Sequence, residues 1–164
     1  MKQHNLLLLL LITGCTTSPA VPTKPTETVP DWLQPMAQAT RITLYSIDGT
    51  EKNKDQKMPP AMEEFRGYPV LGKIEIKSAD ERAEVVQALK HGTENLNHGF
   101  ARCFWPRHAL RVERNGKITD YAICFECFWI KAFLGNEVKD IVTSKEPQEL
   151  LNQHLKKARI AIAP

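Results

Sequence analysis

The stretch HALRVERNGKITDYAICFECFWIKAFLGNEVKDIVTS, His108 to Ser144, places Asn115-Gly116 and Gly135-Asn136 between runs rich in Val, Ile, Phe, Tyr and Trp. These pairs accept the positive φ of two-residue hairpin turns, and the flanking residue types suit a pleated, half-buried surface. A two-residue turn at Asn115-Gly116 fixes a register in which Arg114 faces Lys117, Arg111 faces Asp120 and Arg107 faces Cys124. One face then carries Leu110, Val112, Tyr121, Ile123, Phe125, Cys127 and Trp129, and is the expected core face. The opposite face carries Arg107, Ala109, Arg111, Asp120, Ala122, Cys124 and Glu126.

Working outward, ATRITLYSIDG (39–49) alternates at Ile42 and Leu44 and stops at Asp48-Gly49, the pattern of a strand. VLGKIEIK (70–77) sets Val70, Gly72, Ile74 and Ile76 against Lys73, Glu75 and Lys77, a second half-buried strand. Between them, residues 50–69 are polar and broken by proline, which predicts a mobile loop. SADERAEVVQALKHG (78–92) is a helix with start and stop signals: Ser78 and Glu81 make a capping box, Ala79, Ala83, Val86 and Leu89 form a stripe, and Lys90, His91 and Gly92 end it. A last helix is expected over 144–158, with Pro147 in its first turn and Leu150, Leu151, His154, Leu155 and Ala158 on one face. The expected fold class is α+β: an antiparallel sheet of four to five strands with two helices packed on one face, a two-layer sandwich.

The cysteines are the main carriers of chemistry. If AICFECFWI (122–130) is a continuous strand, Cys124 and Cys127 lie about 10 Å apart on opposite faces, beyond the ~7 Å that a disulfide spans. The stretch holds no Gly, Pro, Asn or Asp to turn it. A one-residue bulge at Trp105-Pro106 brings Cys103 opposite Cys127, so a Cys103–Cys127 disulfide is expected, with Cys124 a free thiol. Cys124 beside Arg107 and Arg111 then marks an anion site if nothing covers that face, and otherwise the charged residues form an ion-pair lattice. The alternative is a zinc or copper centre built from Cys103, His108, Cys124 and Cys127, whose residue types suit either metal, or a thiol-redox pair in the CxxC.

The chain opens MKQHNLLLLLLITGC: Lys2, an unbroken apolar run from Leu6 to Ile12, two small residues, then Cys15. This is a secretory signal, its apolar run too short for a span of about 20 residues. Ile12-Thr13-Gly14-Cys15 resembles the lipobox of bacterial lipoproteins. The resemblance covers this segment only, and implies cleavage before Cys15, diacylglycerol on its sulfur, and residence in the cell envelope. Thr16, where such proteins often carry aspartate when held in the inner membrane, favours the outer membrane, facing the periplasm, if the cell is Gram-negative.

Thr16 to Pro35 holds five prolines and five threonines, too little apolar surface to offset the entropy of ordering, and reads as an extended tether. Trp32 and Leu33 either extend the tether or dock onto the domain or the headgroups. The expected organisation is a signal peptide over 1–14, a lipidated cysteine and tether over 15–38, and one domain over 39–164. With 22 Lys+Arg against 19 Asp+Glu, the charge of +3 is too small and too dispersed for a nucleic-acid partner. There is no Gly-rich phosphate loop, GxSxG elbow or HExxH, and no nucleophile–base pair is legible. The expected function is a membrane-anchored envelope lipoprotein with a non-enzymatic binding or structural domain, its partner an envelope protein or a small ligand, and with no cofactor.

Overall fold

The computed structural model describes residues 28–50, 62–94, 96, 99 and 101–163. The expected signal segment, Cys15, the expected tether up to 27 and the expected loop over 51–61 lie outside the described residues. The chain is α+β. Among the described residues, seven antiparallel strands, β1 (Arg41–Ile47), β2 (Glu64–Phe65), β3 (Tyr68–Glu75), β4 (His108–Arg114), β5 (Lys117–Cys124), β6 (Trp129–Leu134) and β7 (Glu137–Val142), form one sheet in the order β2-β3-β1-β4-β5-β6-β7. The sheet is larger than the four to five strands expected. One addition is β2, hidden in the polar stretch: Phe65 pairs with Tyr68 across a turn in which Arg66 (φ 52°) and Gly67 (φ 83°) both take positive φ. The rest comes from the stretch after Gly92, which supplies four full strands.

The hairpin register is as expected. Arg114 faces Lys117, Arg111 faces Asp120 and Leu110 faces Tyr121, and the second turn sets Leu134 opposite Glu137. One face of the sheet packs under the helices. Ile42, Leu44, Leu110, Val112, Tyr121, Ile123, Ile130 and Ala132 are buried there against Val85, Val86 and Leu89 of α2 (Ala79–Gly92) and Leu151 and Leu155 of α3 (Glu146–Lys157). Ser78 caps α2, its Oγ accepting from the N–H groups of Asp80 at 3.2 Å and Glu81 at 3.5 Å. Ala79 and Ala83, placed on the buried stripe by periodicity, are exposed, and Val85 is buried instead.

Residues 31–37, grouped with the tether by composition, lie on this face too. A 3-10 turn (Asp31–Leu33) runs into α1 (Gln34–Ala37), burying Leu33 and Met36 completely. The Tyr121 hydroxyl donates to the Trp32 carbonyl at 2.8 Å, and burial holds that phenol well above its usual pKa. Of the fates open to Trp32 and Leu33, docking onto the domain is the one observed.

The other face curls on itself. Arg66, in the turn at one sheet edge, places Nε 2.7 Å from Asp120 of β5 and its guanidinium 4.6 Å from the Phe133 ring of β6. Strands lie about 4.8 Å apart, so a flat sheet would leave that edge far outside the reach of one arginine. Beneath the curl, Tyr45, Ile47, Phe65 and Ala109 form a second small core.

Candidate functional site: a cleft beside three cysteines

The expected disulfide is corrected by the structure. Cys124 is bonded to Cys127, their Cα atoms 5.2 Å apart, and Cys103 is a free, exposed thiol. The chain does turn where its residue types suggested a strand: β5 ends at Cys124, β6 begins opposite it at Trp129, and Phe125 to Phe128 form the loop between. Tertiary packing overrides local propensity here. Phe125 drops into the main core, its ring 5.3 Å from that of His108, while Phe128 takes φ 61° and donates its N–H to the Phe125 carbonyl at 3.3 Å. The Cys127 N–H donates to Cys124 Sγ at 3.1 Å, so covalent and hydrogen bonds stand in for the missing turn residues.

The loop before β4 is strapped to this turn. The Ala101 N–H donates to the Cys127 carbonyl at 3.2 Å, the Trp105 N–H to Cys127 Sγ at 3.4 Å, and the Trp129 indole to the Ala101 carbonyl at 2.8 Å. Cys103, midway between two residues bonded to Cys127, sits with Sγ 3.9 Å from Cys127 Sγ. Pro106, expected at a bulge, is buried against Gly49: a Cβ on Gly49 would lie 2.1 Å from the Pro106 carbonyl oxygen, so no other residue fits there.

Beside this loop opens a cleft of about 490 Å³, lined by Asp48 to Thr50 after β1, Gly67 to Pro69 from the β2–β3 turn, and Cys103 to Trp105. Trp105 is 48 % exposed at its rim. Its exposure follows from the buried Pro106 behind it, a backbone constraint that residue type alone does not reveal.

The other expected site residues are dispersed. His108 does not join the cysteines: it is buried, with Nε2 2.7 Å from Asn152 Oδ1 of α3. Burial, with Arg107 contributing, pulls its pKa down to about 4 against that hydrogen bond, so the ring is neutral at physiological pH. In this oxidised form Cys124 and Cys127 offer no thiolate to zinc or copper, and among the described residues no group of three or more His, Cys, Asp or Glu side chains surrounds a common metal position.

The anion site fares similarly. Cys124 is neither a free thiol nor exposed, and Arg111 is committed to Asp120, Nε to Oδ1 at 2.8 Å and NH2 to Oδ2 at 3.0 Å. Arg66 adds a third bond to the same carboxylate, whose side chain is 2 % exposed. This is the ion-pair lattice, not an open pocket. Asp120, through its hydrogen bond and its charge, raises the Arg111 pKa further. Glu126 lies 2.5 Å from Lys145, which lowers its pKa, with Arg107 a smaller influence.

Comparison of the chain with protein-family models, with curated proteins and with solved structures finds no match.

Proposed function

We propose that this protein is a lipid-anchored binding protein of the cell envelope, whose domain offers the Trp105 cleft to a ligand at the end of a proline-rich tether. The observation that carries the binding role is the exposed indole at the cleft rim, next to backbone that is itself buried. A large aromatic left in water beside a concavity gives a partner apolar area at little entropic cost, and the indole N–H gives it direction. The wall is mixed, with Tyr68 and Phe104 beside Asp48 and Thr50. It suits a small aromatic or amphipathic ligand. Burial raises the Tyr68 pKa, so its hydroxyl stays protonated and can donate.

Anchoring rests on the lipobox-like end of the signal segment. Acyl chains contribute about 0.8 kcal/mol per buried methylene, and two or more hold a protein stably where one does not. No helix among the described residues is long and apolar enough to cross a membrane.

Two measurements test the reading together. Wild-type chain expressed in a bacterium should sediment with membranes, and Cys15→Ser should release it or leave it unprocessed; equal retention and processing would refute the anchor. Small aromatic fragments added to isotope-labelled protein should shift amide resonances of Thr50, Tyr68 and Trp105 together, an effect lost in Trp105→Ala. Shifts spread evenly over the surface, or none from a broad aromatic set, would refute the cleft.

A further inference from the structure

We propose that Cys103, Cys124 and Cys127 form a thiol–disulfide exchange centre in which Cys103 is the solvent-facing nucleophile and Cys127 the sulfur shared between two alternative bonds. The inference is independent of the ligand and of the anchor. Cys124 and Cys127 are each 1 % exposed, whereas Cys103 is exposed and lines the cleft. A reagent in solution therefore meets the buried disulfide through Cys103, whose sulfur is already in contact with it at 3.9 Å.

The chemistry balances within the chain. Cys103 loses its proton and its thiolate attacks Cys127 Sγ; the Cys103–Cys127 bond forms as the Cys124–Cys127 bond breaks. Cys124 departs as thiolate and takes up a proton. Cys103 is oxidised as Cys124 is reduced, so the exchange is redox-neutral and no outside oxidant is needed. Such exchange runs faster when the leaving sulfur is stabilised as thiolate, and a hydrogen bond to the charged form does that. Here the Cys127 N–H already donates to Cys124 Sγ at 3.1 Å, aimed at the sulfur that leaves. In the reverse sense the Cys124 thiolate attacks Cys127 and Cys103 leaves; when an external thiolate instead attacks Cys103 of the Cys103–Cys127 form, the leaving sulfur is Cys127, to which the Trp105 N–H donates at 3.4 Å. The straps at Ala101 and Trp105, both bonded to Cys127, keep the attacking residue over its target. A purely structural disulfide needs neither the third sulfur nor a loop pinned on both sides of it.

The external substrate class follows from exposure: a thiol or disulfide small enough, or on a segment flexible enough, to enter the cleft. A small disulfide R–S–S–R attacked by the Cys103 thiolate gives a Cys103–S–R mixed disulfide and releases R–S⁻, again without any other reagent. Oxidised glutathione is the probe used below.

The test uses the full chain. Protein is equilibrated at pH 8, denatured in acid with an alkylating agent, digested and mapped by mass, so that every labelled cysteine is identified by its own peptide. The expected result is label divided between Cys103 and Cys124, the minor form on the order of a tenth or more of the chains, with the Cys124 label lost when Cys103 is alkylated in the native state beforehand. Incubation with oxidised glutathione should place the mixed disulfide on Cys103. Label confined to Cys103 after any length of equilibration, together with no Cys103–Cys127 bond when Cys124→Ser is held in a glutathione redox buffer, would overturn the proposal. Glutathione found on Cys124 or Cys127 in preference to Cys103 would overturn it equally.

Discussion

His108 is a polar residue on the core side of the sheet, and its neutrality has a measurable consequence. In the unfolded chain it titrates near 6.5; in the fold its pKa is about 4, burial outweighing the bond to Asn152. As pH falls through 6.5 the unfolded chain binds the proton first, so stability is fully present above that pH and is lost between 6.5 and 4. The slope is about 1.4 kcal/mol per pH unit, or roughly 3 kcal/mol over the window. Chemical denaturation from pH 7 to pH 5 should show this decline in the native chain, and His108→Gln should flatten it. Glu94 and Glu126, whose pKa values are lowered by Lys90 and Lys145, lose their partners' support only at lower pH, below the upper half of the window. An unchanged slope in His108→Gln would mean that another group carries the proton uptake.

The hairpins were legible because Asn115-Gly116 and Gly135-Asn136 state their turn in residue type, and the whole β4–β5 register followed from the first of them. The cap of α2 was equally explicit in Ser78. Two turns were not legible, for different reasons. Arg66-Gly67 places an ordinary residue at positive φ, a position later held by the bonds of Arg66 to Asp120 and Phe133, partners that are distant in sequence. Phe125 to Phe128 is a turn made of strand-forming residues, fixed by core packing and by the disulfide, and reading it as strand misplaced the bond itself. The cleft was legible only as scattered parts. Its wall depends on Gly49 meeting the Pro106 backbone, which offers no room for a side chain. Gly49→Ala should force the strapped loop outward at a cost of about 1–3 kcal/mol. Its Cys103 should also react faster with a thiol reagent in the native state. A full-strength fold with unchanged reactivity would show that the loop is not positioned by that contact.

The molecule as a whole has two unlike faces. Helices, including the short α1 once grouped with the tether, seal one side of the sheet over a continuous core. The other side curls around the Arg66–Asp120–Arg111 lattice and ends in the cleft, where the exposed thiol stands next to a buried disulfide. On this account the fold shields the bond between Cys124 and Cys127 and leaves one approach to it. The most direct measurement is the rate at which a small monothiol reduces that bond under native conditions, followed by mass, in the wild-type chain and in Cys103→Ser. Attack through a contacting thiol is intramolecular, so the wild-type bond should open faster, by on the order of tenfold or more. Equal rates in the two proteins would contradict the account, because the disulfide would then be reached by opening of the fold rather than through Cys103.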